Sequence, residues 1–227
     1  EEILIRSGNI GSVRIAEKVG IENYNEFLQK IGIISNLEFD IQEVGTTQLG
    51  RWGKCKLATV AFGHGIATTL LQLSKGYSII SNGGYEITPT LLEKKSLQRQ
   101  RILNENLSDI INPILRKIVS TKEGTAGFAN VKGYEIGGKT GTADQPSKGG
   151  YSKKKINTFA SVFPTSNPKF VLAVMLDEPK ANREFVYHYR DDRYPYKGNW
   201  RNTAGWTTVW VTGQIMDKIG PILATKY

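Results

Sequence analysis

Six consecutive residues, Gly137-Gly138-Lys139-Thr140-Gly141-Thr142, combine types that can do chemistry together. Lys139 supplies a fixed cation, the glycines let a ligand backbone lie close against the chain, and the threonine hydroxyls can bind a carboxylate. The same stretch matches G-x-x-x-x-G-K-T from Gly133 to Thr140, the pattern of a phosphate-cradling loop. Such a loop must follow a buried strand and open a helix. Here Gly141 follows the Lys-Thr pair, and Gln145-Pro146-Ser147 breaks any helix after one turn. The carboxylate-binding strand is therefore the preferred reading. A nucleotide site at Gly133–Thr140, detectable as ATP protection of Lys139 from amine labelling, is the alternative.

Lys-Thr-Gly on a strand is one of three motifs of the penicillin-recognising serine enzymes, the others being Ser-x-x-Lys and Ser-x-Asn. Ser7-Gly8-Asn9 fits Ser-x-Asn, lies ahead of Lys139 in the right order and precedes a helical pattern. Ser-x-x-Lys occurs at Ser152–Lys155 and at Ser166–Lys169. Both follow the Lys139 strand. The first is a Lys-rich loop and the second holds Pro168 in a turn, so neither lies on a buried helix that would depress a lysine by desolvation. No nucleophile is assigned within the chain.

Other candidates carry less. Cys55 is the only cysteine, which excludes an intramolecular disulfide and a cysteine metal cage. His64 and His188 are the only histidines, far apart, so no metal site is expected; a structural role is expected for His64 at a Gly-flanked helix start. Residues 183–201 interleave aromatic and basic side chains, a pattern that can stack on bases. Asp191 and Asp192 reduce the cationic character there, and no nucleic-acid fold signature accompanies it, so a surface loop over a substrate groove is expected and nucleic acid is not. Lys148, Lys153, Lys154 and Lys155 read as a solvated loop, with attraction to anionic membrane or glycan as the alternative. The whole chain has 30 Lys+Arg against 21 Asp+Glu, a net charge of +9, which reads first as a solvated surface.

The elements that must position these residues belong to an ordinary folded chain: 227 residues, 39% hydrophobic, 10% aromatic and 22% charged, which excludes disorder, collagen and coiled coil. Lys, Asn or Gly interrupts every apolar run well short of the roughly 18 residues of a membrane span. The chain opens Glu1-Glu2-Ile3-Leu4 without an initiator Met or targeting signal, and is expected to start within a longer protein. Residues 12–31 read as two short amphipathic helices separated at Gly20, 32–56 as a loop with at most short strands, and 66–81 as a buried helix stopped by Asn82-Gly83-Gly84. Residues 108–120 read as a further helix capped by Ser108 or Asp109. From Gly133 the period changes to three strands, 133–143, 157–164 and 169–179, with a turn at Ser166-Asn167-Pro168. An amphipathic helix over 208–222 could lie across that sheet. Helices, then strands, then a helix give an α+β fold, an antiparallel sheet flanked by helices, in one domain.

Longer stretches carry a family resemblance: Thr59 to Ile66 running into Leu71-Gln72-Leu73 and Asn82-Gly83-Gly84; Glu123-Gly124-Thr125-Ala126 running through Gly138 to Ala143; Phe159 to Pro164 through Leu176 to Pro179; and Thr203-Ala204-Gly205-Trp206. Together they make residues 1–227 resemble the C-terminal part of the transpeptidase domain of class B penicillin-binding proteins, most like the division-specific peptidoglycan transpeptidases of alphaproteobacteria. The resemblance implies the β-lactamase-like α+β fold, here lacking the nucleophile helix and first strands ahead of Glu1. It implies a serine acyl transfer on D-alanyl-D-alanine stem peptides, β-lactams as ligands, no cofactor, division-complex membrane proteins as partners, and a periplasmic site on the inner membrane through an upstream anchor. By matched position Ser7 relays protons, Asn9 orients the substrate amide, Lys139 supplies positive potential, and Thr140 and Thr142 bind the terminal carboxylate beside Gly141. The Thr142 N–H forms half of the oxyanion hole. Without its serine this polypeptide is expected to form no acyl-enzyme. Elongation-specific transpeptidases and a non-catalytic peptidoglycan-binding or scaffold module are the alternatives.

Overall fold

The computed structural model describes residues 1–93, 100–147, 150–180, 186–188, 195–197 and 201–226. They form two compact units. One comprises Gly8–Asn112 with Glu2, the other Glu1, Ile3–Ser7 and the chain from Pro113.

The first unit is helical: α2 (Asn9–Val19), which follows the short α1 (Glu2–Ile5), then α3 (Ile21–Lys30), α4 (Lys54–Val60), α5 (Leu70–Ser81) and the opening turns of α6 (Leu107–Ser120). A two-residue ladder joins β1 (Gln48–Leu49) to β2 (Ile66–Ala67). Gly20 separates α2 from α3 at φ +82°, where a side chain would be strained. Leu28, Ile31, Val60 and Ile79 form the core. Gln72, fully buried, ties the loop before α4 to α5. Its amide nitrogen donates to the Ser35 carbonyl at 2.9 Å and the Thr47 hydroxyl at 3.0 Å. The same residue closes a capping box with Thr69.

That box corrects the expected helix start. α5 begins at Leu70, because Thr69 caps it and Ile66–Ala67 are spent on β2. Two other expectations fail here. The 32–56 loop already contains the first turn of α4 from Lys54. Ser108 lies inside α6 rather than capping it, as does Asp109; its hydroxyl donates to the Ile80 carbonyl and accepts from the Gly83 N–H, both at 2.7 Å. Tertiary partners outbid the local cap.

The second unit is built on an antiparallel sheet of order β3-β4-β5: β3 (Gly137–Ser147), β4 (Gly150–Phe163) and β5 (Phe170–Asp177). β3 starts four residues later than the pattern predicts, at the glycine pair. There, added Cβ atoms would stand 2.5 Å from the Thr165 side chain at Gly137 and 2.4 Å from the Ala160 carbonyl oxygen at Gly138. β4 is the central strand, and Phe159 and Val162 are fully buried. A separate pair, β6 (Val186–His188) with β7 (Pro195–Lys197), falls within the 183–201 stretch, whose remaining residues up to Trp200 lie outside the described ones. Helix α7 (Thr208–Lys226) packs on β4 and β5, has Val209, Thr212 and Met216 among its buried residues, and runs through Pro221 beyond its expected end at Ile222. The α+β class and the antiparallel sheet stand as expected.

Candidate active site

The site is assembled on β3 in the second unit. Lys139 sits opposite Ala160 of β4, in the stretch of the sheet that glycine packing fixes at Gly137 and Gly138. Its ammonium donates to the Ser7 hydroxyl at 2.7 Å and to the Thr140 carbonyl at 3.1 Å. Burial lowers the Lys139 pKa to about 8, because the charged form loses hydration there. Ser7 reaches this position just after α1 with φ +57°, in the left-handed region that costs a non-glycine residue energy. α1 itself is fastened by buried Ile5 and by an ion pair between Glu1 and Lys117.

Thr140 and Thr142 each meet a group that spacing alone did not reveal. The hydroxyls of Thr140 and Thr125 are 2.9 Å apart. Thr142 Oγ1 accepts the backbone N–H of Ala204, also at 2.9 Å. Ala204 opens a single 3-10 turn, Ala204–Trp206, held near the sheet by buried Asn157, which pairs with Thr142 in the β3–β4 register and donates to Asn202 Oδ1 at 2.9 Å. Gly141 is exposed and, among the described residues, has only Thr158, at 3.9 Å, near the place a Cβ would take. Lys139, the two threonines and Gly141 thus occupy one run of an edge strand, with Ser7 against the lysine.

Asn9 is the exposed first residue of α2 and belongs to the helical unit. His64 lies in the turn between α4 and β2 rather than at a helix start, its ring 5.2 Å from that of Phe62. The Ser-x-x-Lys matches are used structurally: Lys155 pairs with Asp144 at 2.6 Å and Ser166 bonds the Glu135 carboxylate. The loop expected here is corrected: Lys153, Lys154 and Lys155 lie in the first half of β4, where ladder pairing to β3 extends the strand, and Lys154 also pairs with Glu178 at 2.6 Å; Lys148 lies outside the described residues.

The phosphate-loop alternative fails on geometry. Gly137 through Thr140 lie flat in the β3–β4 ladder, the strand continues to Ser147 without opening a helix, and the Glu135 carbonyl accepts from the Thr165 N–H at 2.9 Å. Strand residues paired to a neighbour do not converge on an anion. Among the described residues, no group of three or more His, Cys, Asp or Glu side chains could hold a metal ion, and no helix is long and apolar enough to cross a membrane.

A helix-backed antiparallel sheet with a desolvated lysine and hydroxyls on its edge strand is the architecture of a penicillin-binding transpeptidase domain. The fold is similar to the transpeptidase domain of Burkholderia pseudomallei penicillin-binding protein 3, with a TM-score of 0.80 at 24% identity over 97% of this chain and 63% of that one. Residues 1–192 match the penicillin binding protein transpeptidase domain family, and the chain belongs to it. It is 28% identical to the probable peptidoglycan D,D-transpeptidase FtsI of Caulobacter vibrioides over 99% of this chain and 38% of the relative. It is 32% identical to the peptidoglycan D,D-transpeptidase FtsI homolog of Mesostigma viride over 81% of this chain and 36% of the relative. The chain therefore spans well under half the length of these curated relatives.

Proposed function

We propose that this chain is the C-terminal part of the transpeptidase domain of a serine-type peptidoglycan D,D-transpeptidase that cross-links stem peptides during septal wall synthesis. The observation that carries the reading is the 2.7 Å contact between Lys139 Nζ and Ser7 Oγ beside two threonine hydroxyls on an edge strand. The relatives' names supply the reaction class.

In that reaction a serine outside these 227 residues attacks the carbonyl of the penultimate D-alanine. The C–N bond breaks, the amine of terminal D-alanine takes a proton and leaves, and an amine of a second stem peptide then displaces the serine. The groups of this chain bind and move protons. Thr140 and Thr142 donate their hydroxyl protons to the terminal carboxylate, and Lys139 holds its charge. Ser7 passes a proton toward the leaving amine, with Lys139 as its hydrogen-bonded partner. The Thr142 N–H faces the developing oxyanion, the missing side chain at Gly141 admits the peptide, and Asn9 orients its amide. β-Lactams enter as analogues of the same dipeptide. The whole protein is placed on the periplasmic face of the inner membrane among division-complex proteins, through an anchor outside this chain.

Because no Ser-x-x-Lys precedes Lys139 within the 227 residues, the isolated chain forms no acyl-enzyme. Mass spectrometry after incubation with a fluorescent penicillin tests this, and is expected to return the unmodified mass. Amide shifts centred on β3, with those of Ser7 and Asn9, on titration with diacetyl-Lys-D-Ala-D-Ala test the site; shifts that leave β3 untouched, or none, would remove the reading.

A further inference from the structure

A hydroxyl has one proton to give and two lone pairs to receive. In the Thr142 side chain one lone pair is taken by the Ala204 N–H at 2.9 Å, a group that can only donate. The Thr142 proton is therefore free to point elsewhere. Thr140 stands in the same relation to Thr125, with one difference: their oxygens are 2.9 Å apart and either can be the donor while the site is empty. A carboxylate only accepts. Once Thr140 gives its proton to one, the Thr125–Thr140 bond survives only if Thr125 donates.

We propose that Thr125 is a positioning residue that, together with the Ala204 N–H, turns both threonine hydroxyl protons of β3 toward the two oxygens of the ligand's terminal carboxylate. The inference rests on the carboxylate-binding role proposed above for Thr140 and Thr142. Thr125 does not touch the ligand. It acts through Thr140, and a chain of hydroxyls ending on a charged acceptor polarises each bond in turn.

The surroundings hold both orienting groups in place. Thr125 lies between Gly124 and Ala126, both buried; the Ala126 N–H bonds the Ile118 carbonyl at 3.1 Å, and an added Cβ at Gly124 would fall 2.1 Å from that same oxygen. The turn that carries the Ala204 N–H rests on Thr125 itself, since a Cβ at Gly205 would be 2.7 Å from the Thr125 carbonyl oxygen. The two donors are thus one assembly, set behind the two hydroxyls it orients. Its consequence is specificity for a charged C-terminus: a carboxamide offers one accepting oxygen and a donor, and leaves one of the two aligned protons unmatched.

The test titrates the full 227-residue chain with diacetyl-Lys-D-Ala-D-Ala and with its C-terminal carboxamide, reading β3 amide shifts. The unsubstituted protein is expected to prefer the carboxylate by at least about fivefold, as for loss of a charge-assisted hydrogen bond. Thr125→Val, matched in shape, is expected to bring the ratio near one by weakening the carboxylate alone, and Thr125→Ser to restore it. A Thr125→Val protein that keeps the full preference overturns the inference while leaving the site intact; so does a Thr125→Ser protein that fails to restore it with its melting midpoint unchanged. Equal binding of both probes, or of neither, by the unsubstituted protein removes the site reading and the inference with it. Should the valine variant fail to fold, Thr125→Ala serves the same comparison.

Discussion

Lys139 Nζ and Ser7 Oγ, 132 positions apart in the chain, stand 2.7 Å from one another, and Ser7 holds a left-handed backbone conformation to make the contact. Strain of that kind persists where the surroundings over-determine a position. Ser7→Gly is therefore expected to fold at least as well as the parent, gaining up to about 1 kcal/mol from relief of the positive φ. Ser7→Val is expected to lose about 2 kcal/mol, because a β-branched residue tolerates that region least. Urea unfolding of both variants checks the pair.

The lowered pKa of Lys139 gives a pH signature. Burial depresses it to about 8, while the unfolded chain holds its lysines near the ordinary ~10.4. Between those values the unfolded state binds the extra proton, so this group makes stability rise with pH across about 8 to 10.4. Below pH 8 the half-buried ammonium is a net cost that its bonds to Ser7 and the Thr140 carbonyl only partly offset. Lys139→Met is expected to stabilise the protein at pH 7 by about 1–3 kcal/mol and to lose that advantage by pH ~10.5, while abolishing carboxylate binding. Thermal melts across this range, with the peptide titration at pH 7, decide it.

The glycines of β3 separate packing from access. At Gly138 a Cβ would meet the Ala160 carbonyl oxygen at 2.4 Å and the Phe159 ring at 2.8 Å, and both belong to the buried central strand. Gly138→Ala is expected to cost about 2–4 kcal/mol. At Gly141 the only neighbours among the described residues are atoms of Thr158 at 3.9 Å, so Gly141→Ala is expected to stay within about 0.5 kcal/mol of the parent yet weaken peptide binding. Similar stability losses for the two would contradict this division.

In the helical unit the sensitive residue is Gln72. Replacing it with Leu strands the Ser35 carbonyl, the Thr47 hydroxyl and the capping partner of Thr69 in a buried setting. A loss of about 2–4 kcal/mol is expected, read as a lower urea midpoint.

The sequence made legible what local pattern controls. Gly20 parted two helices because nothing with a side chain sits easily at φ +82°. Alternation placed β5, and the C-terminal end of β4, to within two residues, but β4 begins at Gly150, seven residues before the expected 157, because its Lys-rich first half lacks apolar alternation; Lys-Thr-Gly fell on a strand as expected. What escaped depended on partners distant in sequence. Ser108 looked like a cap but serves Ile80 and Gly83 from within α6. Thr125 and Asn202 are ordinary loop residues until β3 and β4 bring Thr140 and Asn157 beside them. The only hint was their place in or next to the stretches Glu123–Ala126 and Thr203–Trp206, which carried the family resemblance. The phosphate-loop match shows the converse: correct spacing with a strand where a helix was required.

Within the described sheet, β3 is paired on one side only, whereas β4 is paired on both from Ile156 to Val162. In heavy water β4 should set the slow clock of this unit, giving up its amide protons only when the whole unit opens. Alternate amides of β3 should exchange far sooner. The strand proposed to receive the ligand is the one the described sheet can let breathe without loosening its centre, so capture of a peptide should appear first as slowed exchange along that single edge.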